Sequence, residues 1–352
     1  MARNVRVVEA DFSAWYDEKA KLYGELGQSV SVALRSLLSD AKIEFVSVNA
    51  RLKDKVSCLG KLKKKDYEQA EEMTDIAGLR VITYLQEDVN RVLSIIKKEF
   101  QVIDEYSVDK DLALGVDKVG YRSKHYVCAL STARLRLKEN ARFKGMKFEI
   151  QVRTALQHAW AEIEHDRNYK FGGKLPDDLK RRLNLVAGLL EIADLEFDGI
   201  TNQIRQYQRR VAARADKGDL AVEINSLSAT ELLSKRGFFD DVHIAKKAKQ
   251  KAVTAGVVAE LESFGLTSLA EVNALLTTKF VTRHSEIGVA PTGSGFLRRA
   301  MLFSDPEKYF SKSQVRDFKA VTEPTMALLI EKVGRSRAHQ LVKSAGLRVL
   351  GE

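Results

Sequence analysis

Between Phe148 and Thr154 apolar and polar residues alternate. Phe148, Ile150 and Val152 fall on one face and Glu149, Gln151 and Arg153 on the other, the pattern of a strand with one buried and one polar side. Thr154 then offers a helix cap, and His158, Glu162 and His165 follow at i, i+4 and i+7, which stacks them on one side of that helix. Upstream, Trp15, Leu22, Leu26, Val30, Leu34 and Leu37 recur at spacings of three, four and seven among charged residues, predicting one or two helices over about 12–41. The β-branched run LRVITYL predicts a buried strand with Asp75 near its start. An amphipathic helix is expected from Asp88 to Phe100 and a strand from Gln101 to Val108. After a turn at Gly120 another strand should carry Ser123, His125 and Val127 on one face. This order of elements fits an α+β fold with a mostly antiparallel or mixed sheet.

Past Pro176 the pattern is helical throughout, and all four prolines lie from here onward. Leu185, Leu189, Ile192 and Leu195 open a long helix expected to run to about Ala213, followed by a linker-like ARADKGD. Capping boxes are expected at Ser228 to Glu231 and Ser268 to Glu271, with Asp305 before Pro306 starting another helix. The chain therefore divides into a domain over 1–215 and a smaller all-helical domain over 220–352.

Composition narrows the classes. With 352 residues, 45% hydrophobic and 30% charged, the chain reads as a globular protein of two domains. It has no run of eighteen apolar residues and its N-terminus turns acidic before a signal peptide could form, so a cytoplasmic protein without membrane association is expected. Cys58 and Cys128 provide neither a metal cluster nor a disulfide framework. The net charge of +10 favours anionic partners: nucleotides, RNA or acidic proteins. Arg51, Lys53, Lys55, Lys61 and Lys63 to Lys65 concentrate that charge, as either a solvated face or a phosphate-binding edge.

Two strand-associated carboxylates, Asp75 and Glu149, among clustered Arg and Lys are what a magnesium-dependent phosphoryl or pyrophosphoryl transfer requires. Walker A, dinucleotide and kinase signatures are all missing from the sequence, so such chemistry needs a different scaffold. His158, Glu162 and His165 have the spacing of zinc ligands, but HExxH is absent and no cysteine lies nearby. Tyr121, after a glycine and beside cations, suits either a turn or stacking on a base.

Four ordered motifs, RLKDKVSCLGK, DIAGLRV, GYRSKH and FEIQVRT with its HAWAEIEH helix, span about 46–170. In order and spacing this stretch resembles the RelA/SpoT alarmone synthetase family. The resemblance implies a nucleotidyltransferase-like mixed sheet flanked by helices, and transfer of the β,γ-pyrophosphate of ATP to the 3′-hydroxyl of GDP or GTP. The product would be (p)ppGpp, a signal of the bacterial stringent response. Carried over by position, Arg51 and Arg80 would sandwich the adenine, with Lys53, Ser57 and Lys61 near the ATP phosphates. Asp75 would bind Mg2+, and Glu149 would bind it too or act as general base. Tyr121 would stack on the guanine, while His125, Gln151, Arg153 and His158 would line the acceptor side. Glu162 and His165 would then brace the site. Small synthetases of the family often assemble, so a homo-oligomer is a further expectation.

Two departures qualify the resemblance. Asp117, Lys118 and Val119 stand where ppGpp-making members usually carry Lys-Pro-Asn, and an acid there repels an acceptor phosphate unless Lys118 compensates. Nothing resembles the metal-dependent HD hydrolase domain. The first departure keeps alternative acceptors open: the 3′ end of tRNA, or an adenosine nucleotide, as in toxic relatives. A degenerate nucleotide-binding module is a third reading, and retention of both Asp75 and Glu149 argues against it.

Overall fold

The computed structural model describes residues 9–64, 67, 69–109, 124–171, 175–235, 252–287, 292–312 and 318–350. Two compact units divide the chain at Thr201/Asn202. In the first, strand order is β1-β2-β6-β5-β3, with the short β4 also on β5. The strands are β1 Phe45–Leu52, β2 Ala77–Thr83, β3 Phe100–Val102, β4 Val108–Asp109, β5 Lys124–Leu130 and β6 Lys147–Thr154. β2 and β6 run parallel and the other pairs antiparallel, so the sheet is mixed.

One face of this sheet is the core. Val48, Leu79, Val81, Phe148, Ile150 and Val152 are all buried there with Leu26, Val30, Leu34 and Leu38 of α1 (Glu9–Asp40) and Val89, Val92 and Ile96 of α3 (Gln86–Glu99). The expected helix over 12–41 is thus one continuous helix, whose apolar stripe at i, i+4 packs against β1 and β2. Residues 45–52, to which the sequence reading assigned no element, form a strand in which Val48 alternates with the polar Ser47, Asn49 and Arg51; the dense charge masks this period. The strand expected over 101–108 is broken into β3 and β4 by a 3-10 turn at Asp104–Tyr106.

α2 (Lys55–Leu62), capped by Asp54 on the Ser57 amide at 2.8 Å, packs beside α1 with Cys58 in the same core, while the opposite, polar face receives α4 (Ala155–Lys170). α4 starts at a reciprocal box: Thr154 Oγ1 accepts from the Gln157 amide at 3.1 Å, and Gln157 Oε1 accepts from the Thr154 amide at 3.1 Å. α5 spans Asp177–Asp216, and its Asp194 accepts from the Thr154 hydroxyl at 2.7 Å.

The second unit is mainly helical, with a two-stranded parallel pair, Ala320–Val321 with Arg348–Val349. Its own core gathers Val211, Leu232, Val257, Leu261, Phe280, Phe296, Met301 and Leu329, among others. The Ser268–Glu271 box forms as expected, and Asp305 caps the helix at Pro306 through the Lys308 amide. The Ser228 box does not. The helix there is Ser226–Lys235, Asn225 Oδ1 accepts from the Leu227 and Ser228 amides, and Ser228 Oγ takes the Asn225 amide in return. Asn225 outcompetes Ser228 because it stands one residue before the first turn.

Candidate active site

The polar face of β6 carries a hydrogen-bonded row. Arg153 Nη2 donates to Gln151 Oε1, Gln151 Nε2 donates to Glu149 Oε2 at 2.7 Å, and His125 Nδ1 lies 3.1 Å from Glu149 Oε1. Period two puts the first three on one face, and register supplies the rest. Asn49, Arg80, Gln151 and His125 are successive partners across β1, β2, β6 and β5; Arg51, Gly78 and Glu149 form the neighbouring rung. Gly78 leaves the space between Arg51 and Glu149 free of side chain. A cleft of about 240 Å³ opens there, lined by Asn49, Arg51, Asp75, Gly78, Leu79, Arg80, Glu149, Gln151 and Glu162.

Asp75 sits in the turn that leads into β2, gripped by Lys53 at 2.6 Å and Lys61 at 2.8 Å. Burial pushes its pKa up, but the two lysines outweigh this and hold it below the usual aspartate value. Glu149 behaves likewise: burial raises it and the Asp75 charge adds to that, yet His125 and Gln151 bring it below the ordinary glutamate value. Both carboxylates are therefore ionised at neutral pH. The pair lies in one cleft beside Arg51 and Arg80, as a hard divalent cation with substrate phosphates requires: one or two carboxylates, with cations left for the remaining charge.

A second cleft of about 500 Å³ adjoins, sharing Arg51, Arg80, Gln151 and Glu162 and adding His125, Arg153, Trp160, Glu164 and His165. Arg80 Nη1 is 2.8 Å from Glu162 Oε1, and His158 Nδ1 is 3.7 Å from the same oxygen. Burial, then Arg80 and Arg153, lower the His158 pKa, so the imidazole is neutral at pH 7.

The structure thus brings Arg51, Asp75, Arg80, His125, Glu149, Gln151 and Arg153 to two adjoining clefts. Lys53 and Lys61 are engaged with Asp75, and His158 stands beside Glu162. Ser57 occupies the exposed first turn of α2 and is not among the residues lining either cleft. Tyr121 and the Asp117 to Val119 turn lie outside the described residues, as do Lys65 and most of the basic HIAKKAKQKAV stretch. The His158, Glu162 and His165 set does not converge as ligands, since Glu162 turns to Arg80; among the described residues no three His, Cys, Asp or Glu are placed to hold a metal. Asn49, Gly78 and Leu79 escaped the sequence reading. For Asn49 and Gly78 the signal was the two-residue period shared with Arg51 and Arg80; Leu79 points to the core face and meets the cleft only at the edge of its strand.

A polar sheet face that brings ionised carboxylates together with arginines and lysines defines a site for polyphosphate chemistry. Residues 50–174 match the region found in RelA / SpoT proteins. GTP pyrophosphokinase YjbM of Bacillus subtilis (strain 168) is 32% identical over 170 residues, covering 47% of this chain and 75% of that protein. GTP pyrophosphokinase YwaC of the same organism is 27% identical, covering 44% and 73%. Among solved structures, small alarmone synthetase 1 from Bacillus subtilis aligns over 54% of this chain and 98% of that one, at 27% identity and a TM-score of 0.46. The chain belongs to the RelA/SpoT family, as a member of its synthetase type. Among the described residues no helix is long and apolar enough to cross a membrane.

Proposed function

We propose that the chain is an ATP-dependent pyrophosphokinase that moves the β,γ-pyrophosphate of ATP to the 3′-hydroxyl of GDP or GTP, with magnesium bound by Asp75 and Glu149. The observation that carries this reading is the convergence of both ionised carboxylates with Arg51 and Arg80 in one cleft. The names of the two relatives support a guanine acceptor.

Arg51 and Arg80, on adjacent strands and one face, hold the donor purine between them, since guanidinium planes stack on aromatic rings. Lys53 and Lys61 keep Asp75 ionised and carry positive charge toward the donor phosphates. Magnesium, when bound, neutralises charge on the transferred group and aligns it. Glu149 accepts a hydrogen bond from the attacking 3′-hydroxyl, orients it for in-line attack on the β-phosphorus and takes its proton as the bond from that phosphorus to the α,β-bridging oxygen breaks and AMP leaves, while His125 and Gln151 fix the carboxylate's direction. Arg153, His125 and His158 face the acceptor side.

Incubation with γ-labelled ATP and, separately, GDP, GTP, ATP alone and deacylated tRNA tests the acceptor. Label in GDP or GTP is expected. Label only in tRNA overturns the guanine acceptor while leaving pyrophosphoryl transfer in place.

A further inference from the structure

Glu162 places an anion in the wall shared by both clefts, where bound phosphates would repel it. Its carboxylate is spent on one residue of β2: Oε1 lies 2.8 Å from Arg80 Nη1. Arg80 has other anions in the same cleft, Asp75 and Glu149. Those two are already engaged, the first by Lys53 and Lys61 and the second by His125 and Gln151. Glu162 reaches the sheet from α4, one turn beyond His158, whose neutral ring lies 3.7 Å from the same carboxylate oxygen.

We propose that Glu162 is a positioning residue for the nucleotide donor: it holds the Arg80 guanidinium toward α4, so that Arg80 presents its planar face to the purine and does not swing onto the phosphates or the catalytic carboxylates. A guanidinium paired through one Nη keeps both faces open for stacking, and pairing cancels the net charge that would otherwise draw it to phosphate. The inference rests on the pyrophosphokinase reading above, with Arg80 on the donor side. It also separates the two clefts functionally, since Glu162 and Arg80 form part of the wall between them.

The test is a cycle of Glu162→Gln, Arg80→Ala and the double variant in the full chain. Binding of a non-hydrolysable ATP analogue and of GDP is measured by calorimetry, alongside turnover. Glu162→Gln should weaken the ATP analogue about three- to fivefold, the scale of a partly exposed ion pair. KM for ATP should rise in step, while kcat and GDP affinity stay within about twofold. In the Arg80→Ala background the same change should have no further effect. A Glu162→Gln protein that binds the analogue like wild type, or one that loses as much affinity without Arg80 as with it, overturns the proposal alone. A wild-type protein that binds no ATP analogue overturns the donor-site reading and this inference together.

Discussion

At the scale of single residues, the missing side chain of Gly78 is as informative as the charged ones around it. A Cβ built at this position meets only the Arg51 carbonyl oxygen, at 3.6 Å, which is ordinary contact. Gly78→Val should therefore fold, valine being suited to a strand, but its methyls would occupy the floor between Arg51 and Glu149. Affinity for an ATP analogue is expected to fall at least about tenfold with little change in thermal midpoint; unchanged binding by calorimetry would show that the donor does not use this floor. The alternation over 148–153 made Glu149, Gln151 and Arg153 readable as one face from sequence, and the ring of motifs pointed to Asp75, Arg51 and Arg80. What sequence did not carry was partnership across the fold. That Lys53 and Lys61 grip Asp75, or that Glu162 reaches Arg80, depends on where the chain after β1 with α2, and α4, come to lie in the fold.

At the scale of elements, the junction of β6 and α4 fixes where His158 and Glu162 can reach. Thr154 is the hinge, bonded to Gln157 on one side and to the buried Asp194 of α5 on the other. Burial pushes the Asp194 carboxyl up to about 6 from an ordinary 3.8, with the nearby Asp198 charge adding to it. A folded pKa above the unfolded one means a contribution that is fully present below about pH 4 and is lost as pH rises through about 6. The thermal midpoint should therefore decline from pH 5 to pH 7, and Asp194→Asn, which keeps an acceptor for the Thr154 hydroxyl, should flatten that decline. An identical pH slope in the two proteins, followed by circular dichroism, would remove Asp194 from the account. Thr154 was legible as a cap because a polar residue followed by Gln at the third helical position is a local signal. Asp194 was not, since its partner lies in another element. The same rule explains Asn225: the cap was local, but two candidates competed and position decided between them.

At the scale of the whole molecule, two units with separate cores share one chain, and the sheet unit holds the clefts. The mixed sheet was readable from alternation at β5 and β6 and from the β-branched run at β2, but not at β1, where arginine and lysine hid the pattern, nor in the break between β3 and β4. The second unit was readable as helices from its caps, while its task left no chemical signature. The positive charge of the chain, +10, is consistent with polyanionic substrates but does not select one. The claim that organises these levels is that the Asp75 and Glu149 cleft performs pyrophosphoryl transfer. The most direct measurement is release and transfer of label from γ-labelled ATP to GDP by the intact chain and by its Glu149→Gln variant, with ATP-analogue binding and thermal unfolding measured on both. Wild type should transfer label, and the variant should bind the analogue and unfold like wild type but transfer at least about a hundredfold more slowly. Transfer by Glu149→Gln at the wild-type rate would contradict the account.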